Sequence, residues 1–321
     1  MTGDNVLIEK ITFRNFNFTN GSVGVIQWTG NKGILKNCKF NNNTGIGGGS
    51  AIQWDGINGT ISDSTFSNNT NTNWGGAVRW GGANGILTGS NFINNIAGGG
   101  SGGLDWSGAN AQIINCYFFN NTANRQGGAF ALSGINSIII NCTLINNTAK
   151  GYGGGFCWYG SNGTIIGSTF KGNTAVEGGA IFWNNGGVNG TIIDSTFTDN
   201  YATRYGGGVR WDGDYGTIIG STFNGNTATR GGAVYWTIVG SMVNCSFINS
   251  KWINNNTRTN GIYAIKDLTI NGGKGIVDII ANGTLTGISI VVLNNETYYY
   301  PPNTNINFKE KIISKKIGFI K

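Results

Sequence analysis

The sequence contains no histidine, only two prolines and two methionines, and charged residues make up only 11% of its 321 positions. Without histidine the chain lacks the most common general base and the most common metal ligand, which argues against much hydrolytic and metal chemistry. It has no run of about 18 apolar residues, so we expect no membrane insertion within this chain. The polar start, Met-Thr-Gly-Asp-Asn, lacks the features of a secretory signal, so any export signal is expected outside this chain.

The excess of basic over acidic residues does not indicate a nucleic-acid partner. The chain has 21 basic and 14 acidic residues and a net charge of +7. Nucleic-acid binding requires basic side chains gathered in one stripe. The arginines are scattered instead, and the dense basic run at 309–316 is typical of a solvated tail. We therefore expect no nucleic-acid partner, and nothing in the composition indicates a cofactor.

A repeat of mostly 26 residues organises the chain, and 56 of its residues are glycine. A fixed period of roughly 20 to 50 residues is typical of solenoids. One position of the unit is almost always tryptophan, at Trp28, Trp54, Trp80, Trp106, Trp158, Trp183, Trp211 and Trp236, with Leu132 in the remaining copy. A second position is almost always phenylalanine, at Phe18, Phe40, Phe66, Phe92, Phe118, Phe170, Phe197, Phe223 and Phe247, with Leu144 in the remaining copy.

The columns of the repeat predict an all-β fold, a right-handed parallel β-helix with three short strands per coil. The position five before the phenylalanine is always apolar, and the position three before it is always Asn, Asp or Gly, which tolerate the left-handed backbone of a tight bend. The residue before each tryptophan varies, so alternation places the tryptophan inward. An asparagine that follows each phenylalanine predicts a ladder of stacked amides. Nine or ten coils would form a rod of roughly 45 Å.

Regularity ends near Asn249, and the last part of the chain has a different character. We predict that residues 1–273 form the β-helix. Residues 274–321 contain strand-forming runs joined by Asn-Gly and Asn-Asn turns, which are typical of hairpins. This segment is predicted to be either a small β cap on the open end of the rod or a truncated immunoglobulin-like module.

Two motifs of the repeat resemble those of known surface proteins. Gly-Gly-Ala-(Ile/Val) occurs at 75–78, 178–181 and 231–234, and Phe-x-x-Asn occurs at 40–43, 66–69, 92–95, 118–121, 170–173, 197–200 and 223–226. This pairing resembles the repeats of the chlamydial polymorphic outer membrane proteins. The added tryptophan and the Asn-Gly-Thr-Ile-Ile and Asn-Asn-Thr-Ala segments are still more similar to the adhesin-like surface proteins of methanogenic archaea. The resemblance covers about residues 10–250.

The resemblance implies a secreted, surface-attached β-helix with an adhesive role, and it implies no catalytic residues. In the archaeal proteins immunoglobulin-like modules often follow the repeat, and residues 275–308 look like a piece of one. We therefore expect a non-enzymatic, extracellular protein at the cell surface, a monomeric rod that binds glycans or a partner on a host or neighbouring cell. A purely structural stalk is a competing hypothesis.

The varying column before the tryptophan is the best candidate for a ligand face. Its alternative is an ordinary solvated sheet face. The tryptophans themselves are either core residues or a platform for sugar rings, and their inward parity favours the core. The candidate ligand-binding residues are Gln53, Arg79, Asp105, Phe182, Arg210 and Tyr235.

An enzyme, either a polysaccharide lyase or a glycoside hydrolase on a pectin-lyase-like scaffold, is the second hypothesis. Such chemistry needs paired carboxylates, or acids that hold Ca²⁺ beside a basic residue. Charged residues gather in adjacent coils at Asp199, Arg204, Arg210, Asp212 and Asp214. Asp212 and Asp214 are a weak Ca²⁺ candidate, because acidic residues are favoured in turns regardless of metal binding. No other metal site is predicted.

Four of the five cysteines occupy one small, inward position, at Cys38, Cys116, Cys142 and Cys245. Cys116 and Cys142 belong to neighbouring coils, within disulfide range of each other. Because serine occupies the same position elsewhere, we favour buried thiols over a disulfide. No Cys-x-x-Cys spacing indicates zinc.

Overall fold

The structure is a computed structural model that describes residues 1–19, 24–238, 240–248 and 250–252, together with seven strands between 261 and 308. All regular secondary structure in these residues is β-strand, as predicted. None of the described residues belongs to a helix that is long and apolar enough to cross a membrane.

The first sheet, which we call the Trp sheet, contains nine three-residue strands, of which eight end in a tryptophan of the column and one ends in Leu132. Neighbouring coils pair in parallel and in exact register of the repeat, so that Trp28 lies beside Trp54 and Trp54 beside Trp80. The strands of this sheet are Ile26–Trp28, Ile52–Trp54, Val78–Trp80, Leu104–Trp106, Phe130–Leu132, Phe156–Trp158, Ile181–Trp183, Val209–Trp211, Val234–Trp236, Gly261–Ala264, Val277–Ile280, Ile290–Leu293 and Glu296–Tyr299.

The second sheet, the Ile/Phe sheet, contains two strands per coil separated by a bend. The first set is Leu7–Glu9, Ile34–Lys36, Thr60–Ser62, Ile86–Thr88, Gln112–Ile114, Ile138–Ile140, Thr164–Ile166, Thr191–Ile193 and Gly216–Ile219. The second set is Thr12–Arg14, Lys39–Asn41, Thr65–Ser67, Asn91–Ile93, Tyr117–Phe119, Thr143–Ile145, Thr169–Lys171, Thr196–Thr198 and Thr222–Asn224. Four longer or later strands complete it, Gly240–Ile248, Leu268–Gly275, Gly283–Thr286 and Asn305–Phe308.

A third sheet was not predicted from the sequence, because most of its strands are only two residues long. It follows the Ile/Phe sheet in each coil, and four of its nine strands begin at the Thr of an Asn-Thr-Ala segment. Its strands are Thr44–Gly45, Thr70–Asn71, Ile96–Ala97, Thr122–Ala123, Thr148–Ala149, Thr174–Glu177, Tyr201–Tyr205, Thr227–Ala228 and Lys251–Trp252.

The Asn, Asp and Gly column lies at the predicted bend between the two strands of the Ile/Phe sheet. Most of its members adopt the left-handed backbone, which asparagine and glycine accept at low cost. At the end of the rod the prediction is wrong, because Asn244 lies inside the continuous strand Gly240–Ile248. The column members with positive φ angles at this bend are Asn37, Asp63, Gly89, Asn115, Asn141, Gly167, Asp194 and Gly220.

The first copy of the repeat is placed five residues earlier than the sequence indicates. Phe13, and not Phe18, pairs with Phe40, and the two rings stack with centroids 4.7 Å apart. Ile8 accordingly pairs with Leu35. The sequence Phe-Arg-Asn-Phe-Asn-Phe offers three phenylalanines two or three residues apart, and only packing against the next coil selects Phe13.

The core is a stack of aromatic rings, and all eight tryptophans of the column are fully buried. This confirms the prediction that the tryptophan side chains point inward. Leu132 divides the tryptophan column into two stacks, and in the same coil Leu144 interrupts the phenylalanine column. Phe130 and Phe156 fill the space there, with ring centroids 4.7 Å apart, where other coils carry Ile, Val or Leu. Leu132 and Leu144 are smaller than the Trp and Phe of other coils, and the larger side chains of Phe130 and Phe156 fill the lost volume, as a close-packed core requires.

The predicted amide ladder runs along the inside of the rod. Each asparagine donates its side-chain NH₂ to the side-chain oxygen of the next, at 2.9–3.0 Å. The same oxygen also accepts the backbone N–H of the preceding asparagine, at 3.0–3.1 Å. The ladder residues are Asn43, Asn69, Asn95, Asn121, Asn147, Asn173, Asn200 and Asn226, and all are fully buried.

All five cysteines are buried free thiols. Four occupy the predicted small inward position, where the thiol of Cys116, for example, donates to the carbonyl of Ile114 at 3.3 Å. The fifth, Cys157, lies outside the coil in the column before the tryptophans and is nevertheless fully buried.

The described strands after residue 260 continue the two larger sheets before the strand direction reverses. Strands Leu268–Gly275 and Gly283–Thr286 pair in parallel, and Gly283–Thr286 then pairs antiparallel with Asn305–Phe308. In the Trp sheet, Ile290–Leu293 pairs antiparallel with Glu296–Tyr299. The division at residue 273 and the choice between a cap and an immunoglobulin-like module stay predictions, and residues 309–321 lie outside the described part of the chain.

Candidate functional site

The six residues predicted as a ligand face lie on the outer surface of the Trp sheet in two groups of three. Gln53, Arg79 and Asp105 occupy consecutive coils, with Arg79 exposed and the other two half-buried. Phe182, Arg210 and Tyr235 occupy another three. Ala131 and Cys157 separate the groups, so the structure does not unite all six residues in one site.

Phe182 and Tyr235 are 5% and 6% exposed, although they lie outside the coil. The Tyr152 ring covers Phe182 with centroids 4.9 Å apart, and the Arg210 guanidinium lies 5.0 Å from the Phe182 centroid. The Tyr205 ring stacks on Tyr235 at 4.5 Å. The expectation that these two residues present an open face is therefore wrong, because a second layer of aromatic side chains covers them.

Glu177, which the sequence did not indicate, organises the charges of this surface. Its side chain is only 5% exposed and forms ion pairs with Arg204, at 3.0 Å, and with Arg210. Arg210 also pairs with Asp212 at 2.7 Å. A carboxylate buried to this degree requires compensating partners, and the two guanidinium groups provide them. Arg210 is therefore fixed in position by two carboxylates.

Beside this ion-pair cluster lies an open groove of about 400 Å³, which we call the Tyr152 groove. The turn that forms one wall has seven residues between Trp183 and Thr191, compared with five between Trp158 and Thr164. Two of those seven, Asn184 and Asn185, line the groove. The full lining is Arg125, Gln126, Tyr152, Tyr159, Phe182, Asn184, Asn185, Arg210 and Asp212.

The Tyr159 hydroxyl in the groove and the neighbouring Cys157 thiol stay protonated at neutral pH. Burial raises the pKa of Cys157 to about 12 and raises the pKa of Tyr159 well above its usual value. Tyr159 accordingly acts as a donor, and its hydroxyl donates to Oε1 of Gln126 at 2.6 Å. This bond fixes the Tyr159 ring and the Gln126 amide.

The charge cluster predicted for an enzyme is only partly assembled. Arg204, Arg210 and Asp212 come together through Glu177, whereas neither Asp199 nor Asp214 forms an ion pair among the described residues. The Ca²⁺ candidate is also constrained, because Asp212 already accepts from Arg210 and, at 3.0 Å, from Thr237. Within the described residues no group of three or more acidic or cysteine side chains is arranged to hold a metal ion.

Asp105 gives a prediction for the pH dependence of stability. Burial raises its pKa from 3.8 to about 6, while Arg79 and the 3.4 Å hydrogen bond from Ser101 only partly oppose the shift. Because the folded-state pKa is raised, the protonated form is favoured, and this stability is lost as pH rises from about 4 through 6. We expect Asp105→Asn to unfold at higher urea than the native protein at pH 8, by about 1–2 kcal/mol. At pH 4 the two should be equal, and a variant less stable at pH 8 would contradict this.

Sequence reasoning missed the residues that make the groove, Gln126, Tyr152, Tyr159 and Glu177. Alignment on the phenylalanine column places Gln126 and Tyr152 at one position but shifts Glu177 from it by one residue. Alignment on the tryptophan places Gln126, Tyr152 and Glu177 in one column, six residues before Leu132, Trp158 and Trp183. The two extra residues after Trp183 are a second signal, because an insertion into a regular solenoid lies on its surface.

Comparison with known proteins agrees with the fold. No curated protein matches the sequence significantly. Among solved structures the chain is similar to one described as a new PL6 alginate lyase complex with trisaccharide, at 13% identity, with 94% of this chain and 86% of that chain covered and a TM-score of 0.49. A family model, the right-handed β-helix region, matches residues 50–228, more than half of the chain. The chain therefore belongs to the family of right-handed β-helix proteins.

Proposed function

We propose that this chain is a non-enzymatic, extracellular adhesin-like surface protein that binds a polysaccharide in the Tyr152 groove. The observation that carries the proposal is Tyr152, 40% exposed, in a groove that is also lined by three amide side chains, two guanidinium groups, one carboxylate and two further aromatic rings. The extracellular location rests on the resemblance of the repeat to surface proteins.

The chemistry of the groove suits a sugar. One face of a pyranose ring carries C–H groups that pack on an aromatic ring, and Tyr152 offers such a surface. The hydroxyl groups at the edge of a sugar need donors and acceptors together, which Gln126, Asn184 and Asn185 provide. Arg125 adds donors at the rim. A few placed polar groups around an apolar surface are the usual composition of a ligand site.

The groove is rigid before a ligand arrives. Tyr152 stands at an isolated bridge between coils, paired on one side with Gln126 and on the other with Glu177. The Phe182 ring supports Tyr152 from below, and Gln126 is held by the Tyr159 hydroxyl. Side chains that are already ordered lose little entropy on binding, which favours affinity for a flexible polymer.

The hydrogen bonds of Asp212 and the raised pKa of Tyr159 support a binding role over catalysis. Asp212 is the carboxylate that lines the groove, and Arg210 and Thr237 occupy its oxygens. Tyr159 has a raised pKa and stays protonated at neutral pH. A general base must be free to accept a proton at the working pH. Among the described residues that line the groove, neither of these two groups meets that condition.

The test is to incubate the purified chain with a panel of neutral and acidic polysaccharides, with and without Ca²⁺. Retention is measured by affinity electrophoresis, and products are sized by mass spectrometry. We expect at least one polymer to be retained and all polymers to stay intact. Shortened or unsaturated products would establish the lyase or hydrolase hypothesis instead, and a panel with no retained polymer would favour the stalk.

Removing the aromatic surface should weaken binding. We expect Tyr152→Ala to lower the affinity for the retained polysaccharide about tenfold or more, because the ring contact is worth roughly 1.4 kcal/mol or more. Isothermal titration calorimetry measures the change. Tyr201→Ala is the matched control, since Tyr201 is 38% exposed but belongs to the third sheet, outside the groove. Equal losses in both variants would contradict the assignment of the groove.

A further inference from the structure

Trp74 is an exposed tryptophan on the same surface as the Tyr152 groove, and none of the features above explains it. It lies six residues before Trp80, as Tyr152 lies six before Trp158 and Tyr205 six before Trp211. The parallel register of the Trp sheet joins Trp80 to Trp158 through Trp106 and Leu132. Trp74 and Tyr152 therefore stand in one column, three coils apart.

The neighbouring coil is shaped to receive the Trp74 indole. Gly100 follows Trp74 in the column, and a Cβ added at Gly100 would lie 2.9 Å from Cε3 of Trp74. The absence of a side chain therefore allows the indole to lie over the backbone of the next coil. The ring keeps 39% of its surface exposed. It thus forms a platform on the surface of the Trp sheet.

Polar groups border this platform as they border Tyr152. The same Cβ position at Gly100 is 3.4 Å from Oδ2 of Asp105, so the Asp105 carboxyl and the indole both approach Gly100. Ser101 donates to that carboxyl, and the exposed Arg79 pairs in register with Asp105. An aromatic surface with a carboxyl and a guanidinium nearby is similar to the groove, where Tyr152 has Asp212 and Arg210 nearby.

We propose that Trp74 and Tyr152 are two platforms of a single polysaccharide track that runs parallel to the axis of the rod. This proposal rests on the proposed function and deepens it, since it assigns the direction of the bound chain and a second binding residue. The platforms are separated by three coil spacings, ~14 Å. A pyranose ring with its glycosidic oxygen is similar in length to the coil spacing of ~4.8 Å, so an extended chain would place roughly three sugar units between the two contacts. Gln126, between them in the column, offers its amide to the intervening sugars.

The arrangement of aromatic residues favours the axial direction over a chain that crosses the rod. Each strand of the Trp sheet near the groove has three residues, so the sheet is only ~10 Å wide across the coils. A crossing chain would meet one aromatic platform. An axial chain meets Trp74 and Tyr152, and its binding strength should depend on reaching both.

The experiment uses oligosaccharides of increasing length, prepared by partial hydrolysis of the polymer that the native protein retains, and calorimetry for each length. For the native protein we expect affinity to rise until the oligomer has about five units and then to level off. Trp74→Ala should lower the affinity of the longer oligomers about tenfold and leave di- and trisaccharides unchanged. Tyr152→Ala should weaken all lengths.

A second variant tests the position of the Trp74 ring without removing it. Gly100→Ala leaves the Trp74 side chain in place but takes the space under its ring, so it should reproduce the loss for long oligomers. Native affinity that stops rising at the trisaccharide, or Trp74→Ala affinities equal to native at every length, would overturn the axial track while leaving the groove assignment intact. Failure of every polysaccharide and oligomer to bind the native protein would overturn both proposals.

Discussion

Trp80→Ala should reduce the free energy of unfolding of the β-helix by about 3–5 kcal/mol, the range for removing a large buried aromatic side chain. Trp80 is fully buried, and its ring lies between those of Trp54, at 5.0 Å, and Trp106, at 4.1 Å. Its indole N–H has no hydrogen-bond partner among the described residues, so the loss reports packing alone. Urea denaturation followed by tryptophan fluorescence and circular dichroism measures the change.

The matched control for this variant is Trp74→Ala, six residues earlier in the same coil. Trp74 is 39% exposed, so its removal should cost less than about 1 kcal/mol. Because a solenoid is held together by contacts between neighbouring coils, hydrogen exchange should show the Trp80→Ala effect strongest in the coils of Trp54 and Trp106. A loss for Trp80→Ala no larger than that of Trp74→Ala would show that the stack is not a major source of stability.

Asn121→Ala should have a comparable effect, about 3–5 kcal/mol, although no large apolar surface is lost. The Asn121 side-chain oxygen accepts the backbone N–H and the side-chain NH₂ of Asn95, at 3.0 and 2.9 Å. Its NH₂ donates to Asn147 and to the carbonyl of Phe92, both at 2.9 Å. Alanine leaves these buried groups without their partner, and each unsatisfied group costs about 1–3 kcal/mol.

The control is the neighbouring residue. Asn120 is exposed, has a positive φ of 54° and makes one side-chain bond to Asn94 at 2.9 Å. Asn120→Gly suits this backbone conformation and should change the free energy of unfolding by less than about 1 kcal/mol. The same denaturation assay compares the two variants. If Asn121→Ala is as mild as Asn120→Gly, water must replace the lost amide and the ladder would add little to stability.

Most of the fold could be predicted from the sequence because its determinants repeat. Each coil places the same side chain against the same side chain of its neighbours, so a column of tryptophan or asparagine is visible as a period. Where the pattern decays, prediction fails for the same reason. Phe13 and Phe18 are equally good phenylalanines by composition, and only the contact with Phe40 distinguishes them. Asn244 likewise has the right residue type and lies in a strand.

The candidate site could not be predicted because it depends on departures from the repeat. Glu177 lies at a register shift in the pairing of Thr174–Glu177 with Tyr201–Tyr205, in the coil whose tryptophan follows the preceding one by only 25 residues. Its charge is matched by Arg204 and Arg210 of the next coil. The sequence predicts that Arg204 and Arg210 lie in adjacent coils, but it does not indicate that Glu177 pairs with them. The ion pairs lie on the outer surface of the sheet, and so do the contacts of Tyr152 with Phe182 and of Tyr205 with Tyr235. Residue type varies from coil to coil at these outer positions, so the sequence repeat does not predict them.

The amide ladder also has a consequence for how such a chain changes length. From Asn43 to Asn200, every asparagine of the ladder donates its side-chain NH₂ to the side-chain oxygen of the asparagine in the following coil. Recombination between two copies of the repeat, which removes or duplicates one period of coding sequence, therefore leaves every column intact. The length of the rod therefore changes in steps of ~4.8 Å and is set by the number of repeats. Unequal crossing-over can change the length of the protein while the same contacts form between neighbouring coils.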